Sequence, residues 1–160
     1  MEIDTAIFVA AGVTTALTTG LLFAFSVAVN LGLGKLTDKE YLRAMKSINR
    51  EIKNPIFGLC FFGSTILLPI TSFLYRHDSN RFPLLLAATL IYVIGQFIIT
   101  LTRNVPLNDR LDKTNLETSS NEELSVIRNW YEGPWNRWNH FRVIAGTLSL
   151  ALIYYAAITI

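Results

Sequence analysis

The chain has 160 residues, of which 51% are hydrophobic and 16% charged, with a formal net charge of +2. Four stretches lack Asp, Glu, Lys and Arg altogether: Thr5–Gly34, Asn54–Tyr75, Phe82–Thr102 and Val143–Ile160. A spanning helix needs about 20 apolar residues, so composition excludes an ordinary soluble domain and predicts one all-α domain, a four-helix transmembrane bundle. The spans are expected at 6–33, 55–75, 82–103 and 135–159, the last beginning inside an interfacial Trp segment. Glu2 and Asp4, rather than basic residues, precede the first run, which argues against a cleaved signal peptide. Loops 35–53 and 103–142 each hold six Lys/Arg, against two in loop 76–81. The positive-inside rule therefore predicts cytoplasmic loops one and three and both termini outside.

In the first run, Thr15, Thr19, Ser26 and Asn30 fall on one side of a helical wheel, with Gly12 beside them. Hydroxyl and small residues there suit helix packing, whereas the Asn30 amide, near the end of the span, needs a partner. Thr37–Lys53 reads as an amphipathic helix: Thr37 and Glu40 fit a capping box, and Leu42, Met45, Ile48 and Ile52 recur at helical spacing. It is expected along the headgroups with its apolar side down. Asn49 and Asn54 flank the start of the second span, Pro55 opens it, and Pro69 is expected to kink it or mark its outer end. Cys60 has no partner for a disulfide or a CxxC metal site, and RHDSNR reads as a solvated outer loop around His77 and Asp78.

The third run places Tyr92, Gln96 and Thr100 on one face. A mid-membrane glutamine is costly unless hydrogen-bonded, so Gln96 is expected inside. Pro106 disfavours helix at Val105, which predicts a stop near Asn104 and a turn carrying Asn108 and Asp109. Residues 112–122 are polar and read as mobile. Ser120 and Glu123 offer a second capping box, opening a short helix. Gly133 is expected to break that helix, with Pro134 at the first position of the fourth span. From Pro134 onward, Trp135, Trp138, Asn139 and Arg142 share one face, which continues through Gly146 and Ser149, while His140 lies at its flank.

The unusual polar residues thus gather at one end, from Asn30, Asn49, Asn54, Asn104, Asn108 and Asp109 to Asn139, His140 and Arg142. Two readings stay open: a network that satisfies helix ends beneath a Trp belt, or a polar pocket with aromatic walls.

FAFSVAVNLGL at 23–33, AMKSINREIKNPIF at 44–57, NVPLNDRL at 104–111 and WYEGPWNRWNHFR at 130–142 resemble, in this order, the DUF1772, or anthrone oxygenase, family of small membrane proteins. The resemblance implies a four-span bundle and, in characterised members, oxidation of anthrones to anthraquinones without metal or flavin. Such chemistry needs a base, a donor or cation for an enolate oxygen and a flat apolar slot. His140 or Asp109 is the expected base. Arg142, Asn139 and Asn108 would hold the oxyanion, and Trp135 and Trp138 would stack on the rings. No cofactor is expected, because the chain has one cysteine and its two histidines lie at opposite ends of the bundle. Expected partners are the lipid bilayer and an aromatic or quinone-like molecule, with self-association open and no nucleic acid. The alternative is a non-enzymatic membrane protein that binds a lipid or quinone or supports a partner complex.

Overall fold

A computed structural model describes residues 3–159. Its helices are α1 (Ile3–Leu33), α2 (Asp38–Glu51), α3 (Pro55–Leu74), α4 (Arg81–Asp112) and α5 (Asn121–Ile158), with no strand among the described residues. All but α2 are long and apolar enough to cross a membrane, which makes this a multi-pass membrane protein. The four pack in a ring, α1 against α3 and α5, and α4 against α3 and α5. Segments 34–54 and 103–142, which hold α2, the end of α4 and the start of α5, lie at one end, called here the basic end.

The bundle is polar inside and apolar outside. Thr15, Thr18, Thr19, Ser64, Gln96 and Ser149 are buried, while Leu17, Phe62, Ile94 and Ile144 are more than half exposed. Helices in lipid gain nothing by hiding leucine from leucine, so small and hydroxyl residues take the contacts. Gly146 is the tightest of these. A Cβ there would stand 2.0 Å from the Gln96 side-chain oxygen and 2.5 Å from the Thr19 hydroxyl, which themselves share a 3.2 Å hydrogen bond. Gln96 is thus inside as expected, its side-chain oxygen held by a threonine on α1 beneath an absent side chain on α5, while its Nε2 is buried without a partner.

Both capping boxes form, at Thr37/Glu40 and Ser120/Glu123. Asn54 caps α3 by accepting a 2.9 Å bond from the Phe57 N–H, and Pro55 takes the first position, where it has no helical N–H to forfeit. Pro69 lies within α3 rather than at its end.

Three boundaries differ from expectation. First, α5 runs unbroken through Gly133 and Pro134, so the short helix and the fourth span are one 38-residue element. Proline excludes helix at the preceding residue largely through its Cβ, and Gly133 has none. Second, α4 passes Asn104 and Pro106 and ends at Asp112. Around Thr100–Asn104 the helix widens, the Val105 N–H reaching back five residues to Thr100. Widened turns of this kind absorb a proline in a membrane helix without stranding its neighbours. Third, α2 turns its apolar side onto the chain itself. Its Tyr41, Leu42 and Met45 are fully buried in a cluster with Phe25, Leu111, Leu116, Leu124, Tyr131 and Trp135. Lys39, Arg43, Arg50 and Lys53 meanwhile pair with Glu117, Asp112 and Asp109, so the 112–122 stretch is pinned through Leu116 and Glu117. Alpha-2 is a lid clipped over the bundle. Pro134→Ala would restore an N–H donor to α5, and is expected to raise the thermal midpoint in detergent, since an interior proline costs ~3 kcal/mol. An unchanged or lowered midpoint would show that the proline is not a cost at this position.

Candidate functional site

Beneath α2 lies a cavity of about 380 Å³, within the range of small-molecule sites. Phe25, Phe57, Phe61, Ile48 and Leu22 give it apolar walls, and Asn49, Asn104, Asn108, Thr100, Trp135 and Arg142 supply polar groups. Phe62 and Leu101, both exposed, line it on the α3–α4 flank, and the exposed Lys53 and Asn54 at the α2–α3 corner. Its lining is therefore exposed both between α3 and α4 and at the α2–α3 corner.

Alpha-4 supplies its polar residues at four-residue intervals: Gln96, Thr100, Asn104 and Asn108. On a regular helix that spacing drifts about 40° per step. The widened turns at Val93–Ile98 and Thr100–Asn104 hold the series back toward the interior, leaving Gln96 and Asn104 buried and Thr100 and Asn108 half-buried. Alpha-1 is widened too, where the Asn30 N–H reaches back to Phe25.

Alpha-5 faces them with Tyr131, Trp135, Asn139 and Arg142, all buried. Asn108 Oδ1 accepts from the Tyr131 hydroxyl at 2.9 Å and from Trp135 Nε1 at 3.0 Å. Asn49 Nδ2 donates to the Tyr131 oxygen at 3.0 Å, and Asn104 Nδ2 to the Trp135 carbonyl at 3.3 Å. These bonds lock the indole against the cavity. Arg142 is only 4% exposed. It donates to Thr100 Oγ1 at 3.0 Å and Asn139 Oδ1 at 2.9 Å, and its guanidinium carbon lies 5.6 Å from the Trp135 ring centre. Asn139 is itself held by Leu22 O and Ser26 Oγ on α1. No ion pair reaches Arg142 among the described residues, and its Nε is buried without a partner. A buried, uncompensated charge costs several kcal/mol. The wall of this cavity is therefore primed for an anion.

The expected site residues divide. Asn49, Asn54, Asn104, Asn108, Trp135 and Arg142 line the cavity, and Asn139 positions Arg142. Gln96 sits deeper, bonded to Thr19. Asn30 is buried with both amide atoms unpartnered, away from the cavity lining. Asp109, a candidate base, is exposed and 3.7 Å from Lys53, outside the cavity lining. Continuation of α4 as helix turns its carboxylate outward. His140 is exposed on α5, its Nδ1 2.6 Å from Asn136 O. Trp138 faces outward beneath Arg103 and Arg137 instead of lining the cavity. No three His, Cys, Asp or Glu side chains gather as metal ligands among the described residues.

Sequence reasoning missed Tyr131 and the phenylalanine wall. Tyr131 stands four residues before Trp135 on the same face, a signal that the supposed break at Gly133 concealed.

A family profile described as Anthrone oxygenase matches residues 55–152, a span covering α3, α4 and the cavity-facing part of α5. Comparisons with curated proteins and with solved structures return no match.

Proposed function

The chain belongs to the anthrone oxygenase family, and from that premise we propose that the cavity beneath α2 binds an anthrone or similar phenolic aromatic molecule and promotes its oxidation by dioxygen without a resident cofactor. The observation that carries this reading is Arg142, a buried guanidinium with no carboxylate partner, on the wall of an aromatic-lined cavity.

An anthrone loses a methylene proton to become an anthracenolate, with its negative charge shared between the ring oxygen and the former methylene carbon. Arg142 stabilises the oxygen, and the Trp135 ring and the phenylalanines take the flat apolar faces. The electron-rich carbon adds dioxygen to give a peroxide anion, which takes a proton back from water to become the hydroperoxide. Loss of the remaining hydrogen and cleavage of the O–O bond then release water and leave the quinone carbonyl. Neither His140 nor Asp109 faces the substrate, so the methylene proton passes to water at the corner between Lys53 and Asn54. The acceleration comes from lowering the acidity barrier through Arg142, more than from a positioned base.

The test is dioxygen uptake by purified protein with an anthrone, against a heat-inactivated control and Arg142→Met. Catalysed uptake lost in the variant supports the reading. Tight binding of the phenolic molecule with no uptake above background would favour the binding-only alternative, since the same cavity suits an anion without turnover.

The substrate is apolar enough to arrive through the bilayer by way of Phe62 and Leu101. In the same proposal the basic end faces the cytoplasm, by the loop charge bias. Single cysteines introduced at 113–120, with Cys60 replaced, should be unreactive toward an impermeant reagent in intact cells. Labelling from outside would reverse the orientation.

A further inference from the structure

The basic end has two unlike faces. Along α2, Lys39, Arg43, Arg50 and Lys53 are matched by carboxylates, and Lys46 donates to Thr114 O at 2.8 Å. Across the molecule, on the outer face of α4 and α5, Arg103 and Arg137 make no ion pair or hydrogen bond with any described residue. Both instead rest on one ring: their guanidinium carbons lie 5.1 and 5.6 Å from the centre of Trp138. The Trp138 ring meets Phe141 edge-on, with centroids 6.2 Å apart. Phe141 in turn begins a wholly apolar groove of about 360 Å³ that runs toward mid-bundle, floored by Gly95 and walled by Leu90, Ile94, Ile144 and Leu148. Gly95 keeps this groove shallow and the helices close: a Cβ there would fall 2.5 Å from that of Ala145.

We infer that this face is a binding site for one anionic phospholipid, its phosphate held by Arg103 and Arg137 above Trp138 and one acyl chain laid in the groove below Phe141. Tryptophan and arginine occupy the headgroup level, and a basic cluster there recognises an anionic headgroup. The charge argument selects the lipid class. Two cations without an acceptor sit at the head of the groove, whereas each α2 cation already has a carboxylate or carbonyl partner in the chain. A zwitterionic lipid would fill the groove equally well but would not compensate the arginines. The groove shares no lining residue with the cavity and does not depend on the chemistry proposed for it.

Native mass spectrometry tests it, on full-length protein released from micelles containing equal amounts of phosphatidylglycerol and phosphatidylcholine. The expected result is one retained lipid per chain, anionic over zwitterionic by roughly tenfold. That preference should be lost in Arg103→Gln/Arg137→Gln and kept in Arg43→Gln/Arg50→Gln. Circular dichroism of each variant would verify its helical fold. If both lipids are retained equally by the native protein, the face takes ordinary annular lipid and the inference is wrong. It is equally wrong if the preference survives in Arg103→Gln/Arg137→Gln, or disappears instead with the α2 pair. Should Arg103→Gln/Arg137→Gln misfold, the milder Trp138→Leu, which removes the platform and no charge, is expected to weaken retention. Full retention in that variant would overturn the site.

Discussion

Arg142→Met is expected to lower kcat/KM for an anthrone by about 100- to 1,000-fold, the usual cost of removing one oxyanion-stabilising donor, without a matching loss of stability. The two effects separate because of where the charge sits. Arg142 is buried, bonded to two neutral oxygens, and faces no carboxylate. Its removal strands Asn139 Oδ1, at about 1 kcal/mol, while Thr100 Oγ1 keeps its bond to the Gln96 carbonyl, and it also removes an uncompensated charge whose burial costs more than that. The thermal midpoint should therefore stay level or rise. Arg142→Lys should be nearly as inactive, since a single ammonium cannot reach Thr100 and Asn139 together and still face the cavity. If instead activity and stability fall in proportion across both variants, Arg142 is a structural residue of the bundle.

Gly146→Ala is expected to carry the largest stability penalty of any single methyl addition in the chain. The new carbon would overlap the Gln96 carboxamide and the Thr19 hydroxyl. Relief requires the three helices α1, α4 and α5 to part, or the Gln96–Thr19 bond to break. Overpacking alone costs about 1–3 kcal/mol, and a glutamine left without an acceptor or donor in mid-bundle adds to it. Gly20→Ala is the matched control: nothing lies within 4 Å of a Cβ there, so that change should be neutral or slightly stabilising through helix propensity. A thermal midpoint for Gly146→Ala equal to that of Gly20→Ala would show that the junction is not tightly packed.

Much of this architecture is legible from residue pattern. Charge-free runs give the four spans, and the polar residues that no lipid-facing helix would carry, Gln96, Asn104, Asn139 and Arg142, are all found inside. The capping boxes at Thr37 and Ser120 are local and depend on four residues each, so they too can be read directly. What could not be read was continuity. Pro106 and Pro134 look like stops, yet one is absorbed by a widened turn that leaves no mark in the residue pattern, and the other is excused by Gly133. Those two misplaced ends had consequences for the site. Ending α4 at Asn104 put Asp109 on a turn, where it looked available as a base. Starting a helix at Pro134 detached Tyr131 from the face it shares with Trp135 and Asn139. The cavity walls were hidden for a different reason. Phe25, Phe57 and Phe61 sit in apolar runs, where nothing in the sequence distinguishes a side chain facing a pocket from one facing lipid.

The most direct measurement of the central claim is a spectrophotometric titration of a hydroxyanthraquinone, whose visible band moves when its phenol ionises, bound to the purified protein. If Arg142 forms an anion-stabilising wall, the bound phenol should ionise at least about one pH unit below its value in empty micelles, and Arg142→Met should abolish that displacement while still binding the dye. An unchanged ionisation on binding, or an equal displacement in Arg142→Met, would contradict the account.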